Sequence, residues 1–107
     1  MTTVTFQDET AGGEPRTALE IGGLPDRMTA RELLRLRVRE EVTRHNADPA
    51  ATPLDRLTEA ARAERAFLSN ALFVLTPTHQ VTELDEVIDL TTTPTLTFLR
   101  LVPLAGG

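Results

Sequence analysis

The stretch Leu96-Thr97-Phe98-Leu99-Arg100-Leu101-Val102-Pro103-Leu104-Ala105-Gly106-Gly107 passes from a strand pattern into a proline- and glycine-bearing tail. Side chains alternate across a strand, so Leu96 and Phe98 fall on one face and Leu99 and Leu101 on the other. The first pair suits a buried face; Leu99 and Leu101 are then expected to be exposed. Pro103 lacks the N–H a sheet ladder needs, and Thr91-Thr92-Thr93-Pro94 reads as the loop that leads in. The question is what this last strand pairs with.

Upstream, 72–75, Val81 and Leu84 with Val87 and Ile88 form short β-type runs, interrupted by a loop through Pro77 and His79. At the other end of the chain, Val4 and Phe6 alternate with Thr3, Thr5 and Gln7, and Leu19 and Ile21 alternate with Ala18 and Glu20. The segment Asp8 to Pro15, with Gly12 and Gly13 among acids, breaks the first run, and Gly22, Gly23 and Pro25 end the second, so 2–22 reads as a β-hairpin with a fairly long turn. Thr29 and Glu32 form a capping box, which starts a helix over about 30–45. On it Leu34, Val38 and Val42 share one face, while Leu33 and Leu36 make a second apolar patch that implies another neighbour. That neighbour is expected at 53–69, where Thr52 would cap, Pro53 would take the first helical position, and Leu54, Leu57, Ala61 and Leu68 would form the inward stripe.

Composition narrows the function classes. The chain has 107 residues, one domain's worth, with 40% hydrophobic and 25% charged residues, which is enough for a modest core. It has no cysteine, so it offers no disulfide, thiolate metal site or catalytic thiol. Its 11 basic residues are all arginine, which leaves the N-terminus as the sole ordinary amine. A net charge of −5 opposes binding to nucleic acid. Met1 to Gln7 lack a secretory pattern, and no apolar run reaches the roughly 18 residues of a membrane span. The expectation is a cytoplasmic protein that contacts neither nucleic acid nor membrane and is not itself an enzyme. Arg31, Arg35 and Arg39 share their helix with Glu32, Glu40 and Glu41 and read as a solvated, salt-bridged face. His45 and His79 lack the companions of a metal site, and neither a metal nor a cofactor is expected. Glu83, Asp85 and Glu86 read as a solvated turn.

A hairpin, a helix, short strands and a final strand running directly into Pro-Leu-Ala-Gly-Gly resemble the element order of ubiquitin-like β-grasp modifiers, and 96–107 resembles their last strand and diglycine tail. Residues 82–88 loosely resemble the short turn before that strand. The resemblance implies an α+β fold with a mixed four- to five-stranded sheet, one main helix, and an additional helix at about 53–69. It divides the chain into a domain over 1–102, with 46–70 as a helical insertion foreign to ubiquitin, and a flexible tail over 103–107.

The resemblance also implies a function as a bacterial protein modifier. The Gly107 carboxylate would be adenylated by a ubiquitin-activating-type enzyme using ATP, passed as a thioester to a conjugating enzyme, and joined to target amines. A deconjugating protease and an operon associated with phage defence belong to the same implication. Gly106 and Gly107, without Cβ atoms, let a catalyst approach the carboxyl carbon closely. Pro103 stiffens the root of the tail, Leu101, Val102 and Leu104 offer apolar contacts, and Ala105 belongs to the same enzyme-recognition tail. Arg100 corresponds to an arginine used in enzyme recognition, in one of two registers. Leu99 would belong to a partner-binding patch. The absence of lysine suits a protein whose carboxylate is repeatedly activated, and also suits a GC-rich genome; either way, lysine-linked chains cannot form. Two alternatives stand beside the modifier: a sulfur carrier bearing a C-terminal thiocarboxylate, and a non-conjugating β-grasp adaptor.

Overall fold

The computed structural model describes residues 1–10 and 17–101. Strands β1 (Thr2–Thr10) and β2 (Thr17–Leu24) pair antiparallel, with Phe6 opposite Leu19 and Val4 opposite Ile21. The register slips between Thr2 and Val4, which absorbs the extra residue where Gly22 and Gly23 carry the strand on to Leu24. Gly23 sits at φ 73°, a conformation that a side chain makes costly. The glycines expected to end this strand instead kink it. A short strand not expected from the sequence, β3 (Arg27–Thr29), then delivers the chain into helix α1 (Ala30–Asn46).

The capping box forms as expected: Thr29 Oγ1 accepts from the Glu32 N–H at 3.2 Å, and the Thr29 N–H donates to Glu32 Oε1 at 3.0 Å. Both apolar patches of α1 are used. Leu33, Leu34, Val38 and Val42 are buried, and Leu36 packs against the core edge.

Helix α2 (Arg56–Leu68) differs from expectation at both its start and its face. The cap is Asp55, whose carboxylate accepts from the Thr58 N–H at 2.9 Å and from Thr58 Oγ1 at 2.7 Å. Pro53 lies outside the helix because Asn46 clamps the next residue: its Nδ2 donates to the Leu54 carbonyl at 3.0 Å, and its Oδ1 accepts the Leu54 N–H at 2.8 Å. The inward stripe is Ala63 and Phe67, with Ala60 and Ala66 beside them, while Leu57 and Leu68 are 77% and 70% exposed. Leu57 and Ala60 lie on adjacent helical rows, so periodicity alone does not choose between the two stripes. The row of small side chains ending in one large ring lets α2 lie close, and that row wins.

After α2 come β4 (Leu72–Leu75), β5 (Gln80–Val81), β6 (Val87–Asp89) and β7 (Thr95–Arg100). Leu84 is buried but lies outside any strand; its carbonyl accepts the Arg31 N–H at 2.9 Å. The main sheet has the order β2-β1-β7-β4-β5, and β3 and β6 form a separate two-stranded ladder. Strands β1 and β7 run parallel at its centre, with Phe6 beside Leu96, and β4 runs antiparallel to β7, with Val74 opposite Phe98. One face of the sheet, carrying Val4, Phe6, Leu72, Val74, Leu96 and Phe98, forms the core with the helices. The result is an α+β fold with a mixed five-stranded sheet and two helices, an arrangement compatible with a β-grasp. Among the described residues no helix is long and apolar enough to cross a membrane.

The caps set a pH dependence. Glu32 is held below its ordinary 4.5 by the Thr29 backbone and side-chain donors, and Asp55 below its ordinary 3.8 by the Thr58 hydroxyl and N–H. Asp89 is likewise held below 3.8 by the Thr91 hydroxyl and N–H. A carboxylate whose pKa is lower in the folded state stabilises the fold fully above its unfolded value and loses that contribution as pH falls through the folded one. The melting temperature should therefore hold above about pH 5 and fall below about pH 4. Glu32→Gln, Asp55→Asn and Asp89→Asn combined should flatten that fall, measured by circular dichroism melts across pH 3–6. An unchanged slope would show that these three groups do not carry it.

Candidate functional site

Of the residues singled out in the sequence, Leu99, Arg100 and Leu101 are described, at the end of β7. Arg100 is the last residue of β7, opposite Leu72 on β4 and beside Thr10 on β1. Its position in the two-residue period places it on the helix side. There its Nη2 lies 3.1 Å from Glu41 Oε2 of α1. Glu41 also accepts from Arg37, whose Nε and Nη2 each reach the Asp8 carboxylate on β1 at 2.7 Å. Burial works against the Arg37 charge, but the hydrogen bonds to Asp8 and Glu41 outweigh it and raise its pKa above the ordinary arginine value. The Arg37 guanidinium also lies 5.6 Å from the Phe98 ring centroid. An ion chain thus runs from β1 across α1 to the end of β7.

Leu101 stays attached to the sheet, its N–H donating to the Ala71 carbonyl at 3.0 Å, and its side chain is 45% exposed, as expected. Beside it a cavity of about 290 Å³ opens between α1, α2 and β4, lined by Val38, Val42, Leu54, Ala63, Leu72 and Leu101. Arg100 and Glu41 stand at the same cavity. Leu99 is half-buried rather than exposed. It sits on the opposite face of the sheet, across from Phe73 on β4, with Leu75 two residues further along. Among the described residues no helix covers this face, and the rest of it is mostly polar: Glu9 on β1 stands beside Leu99, Glu20 on β2 pairs with Thr5, and Thr97 Oγ1 lies 3.5 Å from Gln7 Oε1. Pro103, Leu104, Ala105, Gly106 and Gly107 lie outside the described residues.

Sequence reasoning does not bring Asp8, Arg37 or Phe73 to this site, and it assigns Glu41 only to the salt-bridged face of the helix. The Arg37/Glu41 spacing of four along a helix was a legible signal, and Phe73 follows from the alternation in 72–75. Asp8 had no signal, because its partner is 29 residues away.

The remaining candidates settle into structural roles. Arg31 bridges Glu64 at 3.0 Å and also contacts Asp85, while Arg35 reaches Glu64 at 3.4 Å, so this arginine face is salt-bridged as expected. His79 Nε2 lies 2.7 Å from Glu86 Oε2, and His45 Nε2 lies 2.8 Å from the Thr52 carbonyl. Among the described residues no group of three or more histidine or acidic side chains could hold a metal.

The chain matches no protein-family model and no curated protein. Among solved structures it is similar to a superantigen-like protein from Staphylococcus aureus, crystallised in complex with 3-N-acetylneuraminyl-N-acetyllactosamine. The identity is 10% and the TM-score 0.46, over 94% of this chain and 51% of that one. The chain thus spans about half the length of that protein.

Proposed function

We propose that this chain is a ubiquitin-like β-grasp protein modifier, acting through the carboxylate of Gly107 in the cytoplasm. The observation that carries the reading is the position of β7: the strand at the centre of the sheet continues, through an anchored Arg100 and Leu101, directly into Val-Pro-Leu-Ala-Gly-Gly. The parallel pairing of β1 with β7 and the helix packed across them also support it. A tail rooted in a rigid sheet presents one defined body to an enzyme while its end reaches into a channel.

The chemistry begins with the Gly107 carboxylate attacking the α-phosphorus of ATP, which releases pyrophosphate and leaves an acyl-adenylate. A cysteine thiolate on the activating enzyme displaces AMP to give a thioester. A second thiolate, on a conjugating enzyme, takes the acyl group by exchange. A target amine then displaces that thiolate and loses its proton to form the amide. In this reading Arg100 and the apolar wall at Leu101 meet the activating enzyme. Phe73, Leu75 and Leu99 offer a second, apolar contact on the open face of the sheet.

The test is intact mass spectrometry after incubation with a ubiquitin-activating-type enzyme from the same cell and Mg-ATP. A thiol-labile adduct through Gly107, converted to an amide on a target and abolished by deleting Gly106 and Gly107, is the expected result. A mass change corresponding to oxygen replaced by sulfur would assign the chain to the sulfur carriers instead. No adduct, together with a harmless tail deletion in cells, would overturn both and leave an adaptor.

A further inference from the structure

Helices α1 and α2 leave a groove on their solvent side that the proposed tail chemistry does not use. They run antiparallel: Arg31 near the start of α1 meets Glu64 late in α2, and Asn46 at the end of α1 holds Leu54 just before α2. Between them lies a groove of about 670 Å³ whose apolar lining is Met28, Leu36, Leu57, Ala60 and Ala61. The two alanines make it concave, and Leu57, 77% exposed, stands on its wall. An apolar side chain that exposed, next to a hollow, loses more water on docking than an isolated surface leucine does.

The charge at the rim gives the partner's chemistry. Arg35, Arg39 and Arg56 stand around the groove with Glu32 and Glu64, in a chain whose net charge is −5. Both acids are already engaged: Glu32 closes the capping box, and Glu64 accepts from Arg31 and Arg35. Arg39 has only a long contact, 3.9 Å to Glu40. Arg56 forms no salt bridge among the described residues, its neighbour Asp55 being turned to Thr58. The groove therefore presents an apolar lining beside two arginines with only long or purely charge–charge contacts to carboxylates, on a molecule whose net charge is −5.

We infer that the α1/α2 groove docks an acidic amphipathic helix of a partner protein, with leucine-like side chains against Leu36, Leu57 and the alanines, and carboxylates on Arg39 and Arg56. The length fits. From Glu32 to Arg39 the groove runs about 10 Å, roughly two helical turns, enough for apolar anchors at i, i+3 or i+4 and i+7. A third helix laid between two others buries its stripe on both, whereas a flat lipid surface would leave the hollow unfilled. The inference is independent of Gly107.

The test is selection of a display library of random 16-residue peptides on the intact protein, with counter-selection on Arg39→Glu/Arg56→Glu. The expected pool is enriched in acids and carries leucine-type residues at helical spacing. One synthesised member should shift the amide resonances of Leu36, Leu57, Ala60 and Ala61 and bind ~10-fold or more weakly to Leu57→Asp or to the double charge reversal. Its affinity should fall with added salt. Leu57 is exposed, so both variants should keep the wild-type circular dichroism melt. An empty selection, peptides that are neutral or basic, or shifts confined to the sheet face would overturn the inference. So would arginine-dependent flotation with phosphatidylglycerol vesicles in the absence of peptide binding, which would reassign the groove to an anionic membrane.

Discussion

Replacing Phe98 with alanine should destabilise the protein by about 3–5 kcal/mol, the range for removing a buried aromatic ring. Phe98 is 1% exposed in the middle of β7, between β1 and β4. It meets the Phe6 ring edge-on, with centroids 5.3 Å apart at 73°, while Arg37 lies by its ring. Losing the ring opens a cavity where the sheet, α1 and the ion chain meet, and no neighbouring strand can close it without breaking register. Domains of this size are stable by about 5–15 kcal/mol, so the variant should lose a large part of its stability and unfold at a clearly lower urea concentration. Phe98→Leu keeps most of the volume and should cost less than half as much. Urea denaturation of both variants decides the point; a Phe98→Ala loss below ~1 kcal/mol would place the centre of the core elsewhere.

Phe67→Ala should cost about 3–4 kcal/mol, with a different signature. Phe67 is the one large buried side chain of α2; the others facing the core are alanines. Its loss should release α2 from α1 while the sheet remains, so amide protection should fall across residues 56–68 before it falls in β1 and β7. Leu57→Ala and Leu68→Ala should each lie within ~0.5 kcal/mol of wild type, since both leucines already face water. If the leucine variants proved more costly than Phe67→Ala, α2 would be rotated relative to the structure.

That pair of outcomes also marks what sequence periodicity resolves. The hairpin, the capping box and the burial of Leu96 and Phe98 were legible because each rests on spacing within one element: period two, or a reciprocal bond across three residues. The start and the face of α2 were not. Pro53 and Asp55 both sit at plausible starts, and the choice is made by Asn46, which holds Leu54 from eight residues away. Leucine outranks alanine as a burial signal, yet close helix approach favours the alanine row. At the site, the exposure of Leu101 was read correctly. Leu99 was read as exposed, but the alternation could not register that Phe73 stands across from it. The anchoring of Arg100 to Glu41 joins residues 59 apart, beyond any local pattern.

The central position of β7 also sets the order in which the molecule can assemble. Strands β1 and β2 form one hairpin and β4 and β5 another, and only β7 joins them. The parallel ladder brings Thr5 beside Thr95 and Gln7 beside Thr97, residues 90 apart in sequence. Until that strand is available, each half-sheet carries an unpaired inner edge that could recruit foreign strands. Contacts of such separation place folding toward the millisecond-to-second range rather than microseconds. On a ribosome the sheet stays in two pieces until residues 95–100 have left the exit tunnel, so the strand that joins the two halves is also the last described strand to be made.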